Sequence, residues 1–203
     1  MKKYAVLHEP GDIVTLAGTR FVVLDVERRG SLPDSLFLLA LESVGASEFG
    51  SSNNYAESDL KKAVDKWLED MGKRGLDNAK LIPREIDLTT LDGSGCYGKL
   101  SVKAAPLTLD EAREYADIIP NAERWCWLAT GWSGPSKSDG DLALRVNSSG
   151  DWDYNYCSYS YGIRPALKIP SDLLLDSADK PDLSEVPTDT LLEEIRRRVV
   201  DKA

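Results

Sequence analysis

The apolar residues near the N-terminus of this 203-residue chain come in short runs cut by turn-forming residues, and that pattern favours antiparallel strands. In GDIVTLAGTRFVVLDVE the runs Ile13 to Leu16 and Phe21 to Val26 flank Ala17-Gly18-Thr19, a hairpin turn in which glycine supplies positive φ. A charged connection, RRGSLPDS, then leads into LFLLALE, and Leu36 to Glu42 is apolar enough for a central strand covered on both faces. Residues 11 to 42 therefore read as a β-meander.

From Ser58 the period changes. Leu60, Val64, Trp67, Leu68 and Met71 fall on one helical face, with Ser58 as N-cap and the stretch Gly72 to Gly75 as the stop. Thr108 and Glu111 form a capping-box pattern for a second helix running through Ala112, Tyr115 and Ala116 towards Pro120. The Gly-rich segment between them, LDGSGCYGKL, lacks the Lys-Ser/Thr ending of a phosphate cradle. WCWLAT, from Trp125 to Thr130, is a short strand that puts Trp125 and Trp127 on one face and Cys126 and Leu128 on the other, with both tryptophans expected in the core. A turn at Ser148 to Gly150 and a closing strand over Ile163 to Ile169 complete the expected domain, residues 4–170. An acidic linker is expected over 171–187 and a helix over 188–203, with Leu191, Leu192, Ile195 and Val199 as its apolar stripe. So short a helix docks, self-associates or meets a partner, which makes a homo-oligomer through it one expectation.

Charge excludes more than it assigns. The net charge of −9 lacks the basic footprint of a nucleic-acid binder. Three widely spaced cysteines, Cys96, Cys126 and Cys157, form neither a disulfide framework nor a zinc ribbon and fit a reducing compartment. The start, MKKYAVLHEPGDI, carries no signal-peptide or lipidation pattern, so a cytoplasmic location without membrane insertion is expected. Enzyme chemistry is poorly supplied, because the single histidine, His8, sits in a turn-like setting beside Glu9 and Pro10. Asp139, Asp141, Asp151 and Asp153 form an oxygen-rich group suited to calcium but without EF-hand spacing. No cofactor or metal site is assigned, and no catalytic residue.

The informative stretch is aromatic. Of sixteen Trp, Tyr and Phe residues, eight lie between Trp125 and Tyr161. Residues 147 to 161, NSSGDWDYNYCSYSY, use only Asn, Ser, Gly, Asp, Trp, Tyr and Cys, close to the palette of antibody paratopes, where rigid aromatics alternate with small hydrogen-bonding residues. If Asp151 to Tyr156 is extended, Trp152, Tyr154 and Tyr156 share one face and Asp151, Asp153 and Asn155 the other. The phase shifts at Tyr159 and Tyr161, so a bulge or bend is expected near Cys157-Ser158. The same alternation also suits plain packing on a neighbouring strand.

The order GDIVTLAG, FVVLD, LFLLALE, WLEDM, WCWLAT, LALRVNSSGDW and YGIRPALKI resembles, over roughly residues 11 to 169, an uncharacterised family of bacterial and phage domains that ends in a Gly-Val/Ile-Arg-Pro-Ala-Leu strand. That family is similar to C-type-lectin folds of the formylglycine-generating-enzyme type, the scaffold also used by variable proteins of diversity-generating retroelements. The resemblance implies an α+β, C-type-lectin-like fold with small antiparallel sheets and two helices, and association with a phage particle as the alternative to a cytoplasmic location. It also implies a surface that binds a protein or cell-surface ligand through Trp132, Asp151, Trp152, Asp153, Tyr154, Asn155, Tyr156, Ser158, Tyr159 and Tyr161. Every residue from Asn147 to Tyr161 except Trp152 is reachable from an Asn codon by changes in its first two bases, and Lys, Glu, Gln and Met, which are not, are missing. The chain departs from animal lectins in lacking their Glu-Pro-Asn and Trp-Asn-Asp motifs. Two alternatives stand beside the binder: a cysteine oxidase or metal-assisted enzyme built on Cys126 and Cys157, and a structural phage domain without ligand. Arg164 of the GIRPAL segment is expected to secure the fold through carbonyls or a buried carboxylate.

Overall fold

Strands β2 (Ile13–Leu16) and β3 (Thr19–Arg29) pair through a two-residue turn in which Ala17 and Gly18 both take positive φ, 47° and 77°. This left-handed pair matches the twist of the flanking strands, so the hairpin closes one residue tighter than the Ala17 to Thr19 loop expected from sequence. β4 (Leu32–Ala40) follows in antiparallel register. Much of the expected charged connection is strand, with Glu27 opposite Ser35 and Arg29 opposite Leu32. A register shift between Val23 and Asp25 changes the phase of β3. Phe21, Val23 and Val26 therefore face one apolar cluster, Val22 and Leu24 the other. The strand is apolar throughout its middle because both faces are covered.

The computed structural model describes residues 2–4, 8–29, 32–135 and 137–177. Those residues form an α+β arrangement of mostly antiparallel sheets and two helices. The remaining strands are β1 (Lys2–Tyr4), β5 (Ala46–Glu48), β6 (Arg84–Asp87), β7 (Lys99–Val102), β8 (Ala104–Ala105), β9 (Cys126–Gly131), β10 (Leu142–Val146), β11 (Trp152–Tyr156), β12 (Ser160–Gly162), β13 (Ala166–Pro170) and β14 (Leu174–Ser177). A seven-stranded sheet runs β1-β14-β2-β3-β4-β13-β8, a five-stranded sheet runs β11-β10-β9-β12-β5, and β6 pairs with β7. β14 falls inside the segment expected to be an acidic linker. Its Leu174–Ser177 run instead joins β1 to the open side of β2, so the sheet extends past Pro170. The C-terminal helix expected over 188–203 lies outside the described residues. Among the described residues no helix is long and apolar enough to cross a membrane.

Helix α1 (Asp59–Lys73) begins where Ser58 accepts a hydrogen bond from the Lys61 N–H at 2.9 Å. It ends in a Schellman motif: the Leu76 N–H reaches the Met71 carbonyl, the Gly75 N–H reaches that of Gly72, and Gly75 takes φ 103°. Leu60, Val64 and Met71 are buried against the first cluster, and Trp67 packs half-buried on Phe21. Helix α2 (Leu109–Glu114) has the expected capping box between Thr108 and Glu111 but stops at Glu114, not near Pro120. Beyond it, turns centred on the Tyr115 carbonyl fold Ile118 and Ile119 onto the second cluster. Glu111 also pairs with Arg84, which is 5% exposed and donates to the carbonyls of Ala105 and Pro106.

The closing segment divides between the two larger sheets. Ser160–Gly162 belongs to the five-stranded sheet and Ala166–Pro170 to the seven-stranded one, so the strand expected over Ile163 to Ile169 forms from Ala166 onward as β13, while Ile163 to Pro165 crosses between the sheets. Arg164 sits at that crossing, 5% exposed. Its Nε donates to the Ala40 carbonyl at 3.0 Å and its Nη1 to that of Pro120 at 3.1 Å. The arginine thus ties the end of β4 to the loop after α2.

Candidate functional site

β11 is the outer strand of the five-stranded sheet. Its register with β10 places Trp152 opposite Val146, Tyr154 opposite Leu144 and Tyr156 opposite Leu142. Because side chains alternate, these three aromatics share one face, and Asp153 and Asn155 take the other, as the sequence pattern anticipates. The tight connection before β11 is built by Asn147. Its Oδ1 accepts from the N–H groups of Ser149 and Asp151, both at 2.8 Å, and its Nδ2 donates to the Asp151 carboxylate. Gly150 completes the turn at φ 87°.

The aromatic face stands largely in water. Trp152 is 40% exposed, Tyr154 43%, Tyr156 53% and Tyr159 54%, whereas Trp127, in the centre of the same sheet, is 1% exposed. Each exposed ring has a partner that limits its freedom. Tyr154 leans on half-buried Trp132 with centroids 4.2 Å apart, Tyr156 stacks on Tyr159 at 6.5 Å, and the Arg113 guanidinium lies 5.1 Å from the centre of Trp152. After Tyr156 the chain makes a hydrogen-bonded turn, with the Tyr159 N–H bonded to the Tyr156 carbonyl, so of the bulge or bend expected near Cys157-Ser158 it is the bend that forms. Ser158 is exposed on that turn.

The opposite face is bound inward. Asp153 pairs with Arg145 at 2.7 Å, which holds its carboxyl below the usual carboxylate range. The Arg145 guanidinium lies between two rings, 3.9 Å from the centre of Trp125 and 4.6 Å from that of Tyr161. Tyr161 packs edge-on against Trp127 at 4.8 Å, and its hydroxyl accepts from Asn155 Nδ2 at 2.6 Å. Tyr161 is therefore half-buried behind the sheet, apart from the exposed group. Trp125 precedes β9 and is also half-buried, against the expectation of a core position, because it covers Arg145.

Two features of the site had no sequence signal of their own. Asn53, 1% exposed, donates from Nδ2 to the carbonyls of Ser133 and Leu142 at 2.9 and 3.0 Å and accepts from the Tyr97 hydroxyl at 2.6 Å. It pins the loop that carries Trp132. Arg145 was legible only as the residue facing Asp153 once register is known.

The other chemistry considered is arranged differently. Cys126 and Cys157 are both buried free thiols, and burial pushes their pKa values up to about 11 and about 12. Both stay protonated near neutral pH, so neither supplies a thiolate. Asp151 is engaged with Asn147 and Asp153 with Arg145. Among the described residues no three His, Cys, Asp or Glu side chains converge as a metal would require. His8 is buried, with Nδ1 3.4 Å from Asp12. Comparison with family models, curated proteins and solved structures finds no match.

Proposed function

We propose that this domain is a binding module that engages a protein or cell-surface ligand through the aromatic face of β11, in the manner of the C-type-lectin-fold variable proteins its sequence resembles. The observation that carries the proposal is the exposure of Trp152, Tyr154 and Tyr156 on one outer strand, and of Tyr159 on the turn after it, while Trp127 and Leu128 of β9 and Leu142 and Leu144 of β10 in the same sheet are buried. Leaving four large rings about half in water wastes apolar area unless something covers them, and such patches mark interaction sites. Tyr and Trp lose little rotamer entropy on contact, and these rings are further held by Trp132, Arg113 and one another. Asp151 and Ser158, both exposed, flank the aromatics with hydrogen-bonding groups, as in the polar rim of an interface, while Asn155 faces the other way and bonds Tyr161.

The test is single-residue alanine scanning of Trp132, Trp152, Tyr154, Tyr156 and Tyr159, read as binding of labelled protein to cells of a candidate host. Loss concentrated in two or three of these residues is the expected result. Uniform small effects, with loss caused instead by changes on the seven-stranded sheet, would overturn the proposal. At the level of the gene, diversification predicts a near-repeat of the codons for residues 147 to 161, with adenines at the variable positions. Multivalent display through the segment 188–203 predicts an oligomer by light scattering, and a monomer removes that part of the proposal.

A further inference from the structure

A cavity of about 240 Å³ lies between the turns after α2 and the five-stranded sheet, with Trp152 at its edge. Its walls are mostly apolar, including Leu39, Leu107, Leu128 and Val146, and among the described residues its only charged lining residue is Arg164. Two of the Arg164 nitrogens are taken by carbonyls, as described, but Nη2 is buried with no hydrogen-bond partner among the described residues. Among the described residues the carboxylate that acts on it, Glu42, is bonded to Arg20 instead. A guanidinium that is 5% exposed, with no ion pair among the described residues and one amino group unsatisfied, is a costly arrangement in a protein of net charge −9 with acidic groups to spare. Burial accordingly holds its pKa below the ordinary guanidinium value.

We infer that this cavity binds a small carboxylate, its charged end on Arg164 Nη2 and its apolar body against Leu128, Val146 and Leu39. The geometry sets the ligand class. One available nitrogen suits a carboxylate oxygen better than a phosphate, which asks for several donors. Since a 150 Å³ apolar cavity accepts benzene, the volume here suits roughly ten non-hydrogen atoms, an aryl or branched aliphatic monocarboxylate. The ligand supplies the missing counter-ion and the missing hydrogen bond together. This site is separate from the β11 face proposed above, sharing only Trp152 with it.

The experiment titrates the full chain with phenylacetate and, in parallel, with phenylacetamide, which has the same shape and no charge, read by calorimetry and by methyl NMR of Leu128 and Val146. Phenylacetate is expected to bind with a Kd below about 1 mM and the amide at least about tenfold more weakly. Ala116 is exposed and borders the cavity, so Ala116→Phe fills it without touching the arginine and should weaken binding at least about tenfold. Arg164→Lys should do the same. Because Arg164 also holds the fold, Ala116→Phe and the acid–amide pair decide the matter if that variant does not fold. Equal affinity for acid and amide, no binding of either, or full binding by Ala116→Phe overturns the inference. A Tyr154→Ser/Tyr156→Ser/Tyr159→Ser variant should bind phenylacetate normally, and its failure to do so would show that the signal came from the β11 face.

Discussion

Replacing Arg145 by Met tests how the back of the outer strand is held. The guanidinium lies on Trp125 and Tyr161 at 3.9 and 4.6 Å and bonds Asp153 at 2.7 Å, with its own side chain 12% exposed. A partly desolvated cation on an aromatic face is worth about 1 kcal/mol per ring. The pair with Asp153 adds only about 0.5 kcal/mol, because that carboxylate is 43% exposed and water screens it. Arg145→Met should therefore cost about 2.5 kcal/mol in urea unfolding, or a Tm about 5–10 °C lower for a chain of this size. Arg145→Lys keeps a charge but not a plane to lie between the rings, so it should lose about half as much. There is also a pH signature. The Asp153 carboxyl sits below its usual range when folded, so its share of stability is present above the unfolded pKa of about 3.9 and fades as pH falls through the lower folded value. That acid-limb contribution should vanish in Arg145→Met. A loss below about 0.5 kcal/mol, or an Arg145→Lys protein as stable as the parent, would refute the view that the two rings hold the strand through this cation.

Three further outcomes follow from the described contacts. Ala17→Asn should raise stability by about 1 kcal/mol in thermal unfolding, since Ala17 adopts the left-handed region at φ 47° and Asn-Gly is the preferred pair for this turn. Asn53→Ala should cost about 2–4 kcal/mol, because it leaves the buried Ser133 carbonyl and the Tyr97 hydroxyl without their bonds, and should loosen Trp132, visible as a change in its fluorescence. A thiol reagent should modify exposed Cys96 promptly and Cys126 and Cys157 only on unfolding; fast reaction of more than one thiol would favour the cysteine-based alternative.

Local features were legible before any coordinates. Ser58 and the Gly72 to Gly75 stop delimit α1 because capping is a matter of a few adjacent residues, and the alternation in DWDYNY assigns the two faces of β11 because strand period is fixed. What escaped depends on distant partners. Nothing in LLLDS indicates that it joins β1 and β2, and nothing in GIRPAL shows that it leaves one sheet for another at Arg164. Tyr161 looks like its neighbours in composition, yet the turn at Cys157 to Tyr159 sends it inward to Trp127 and Arg145. α2 ends early because packing of Ile118 and Ile119 overrides a helical pattern that local propensity would have continued.

The central claim, that the exposed rings of β11 serve contact and not folding, is tested most directly by measuring stability and host-cell binding on one Tyr154→Ser/Tyr156→Ser/Tyr159→Ser protein. With Tyr154 43%, Tyr156 53% and Tyr159 54% exposed, truncation removes mostly solvated area, so each change should cost about 1 kcal/mol or less, well under the 3–5 kcal/mol of a buried aromatic. A folded protein that has lost cell binding is the result predicted. A protein that unfolds, or that keeps its full binding, would contradict the claim.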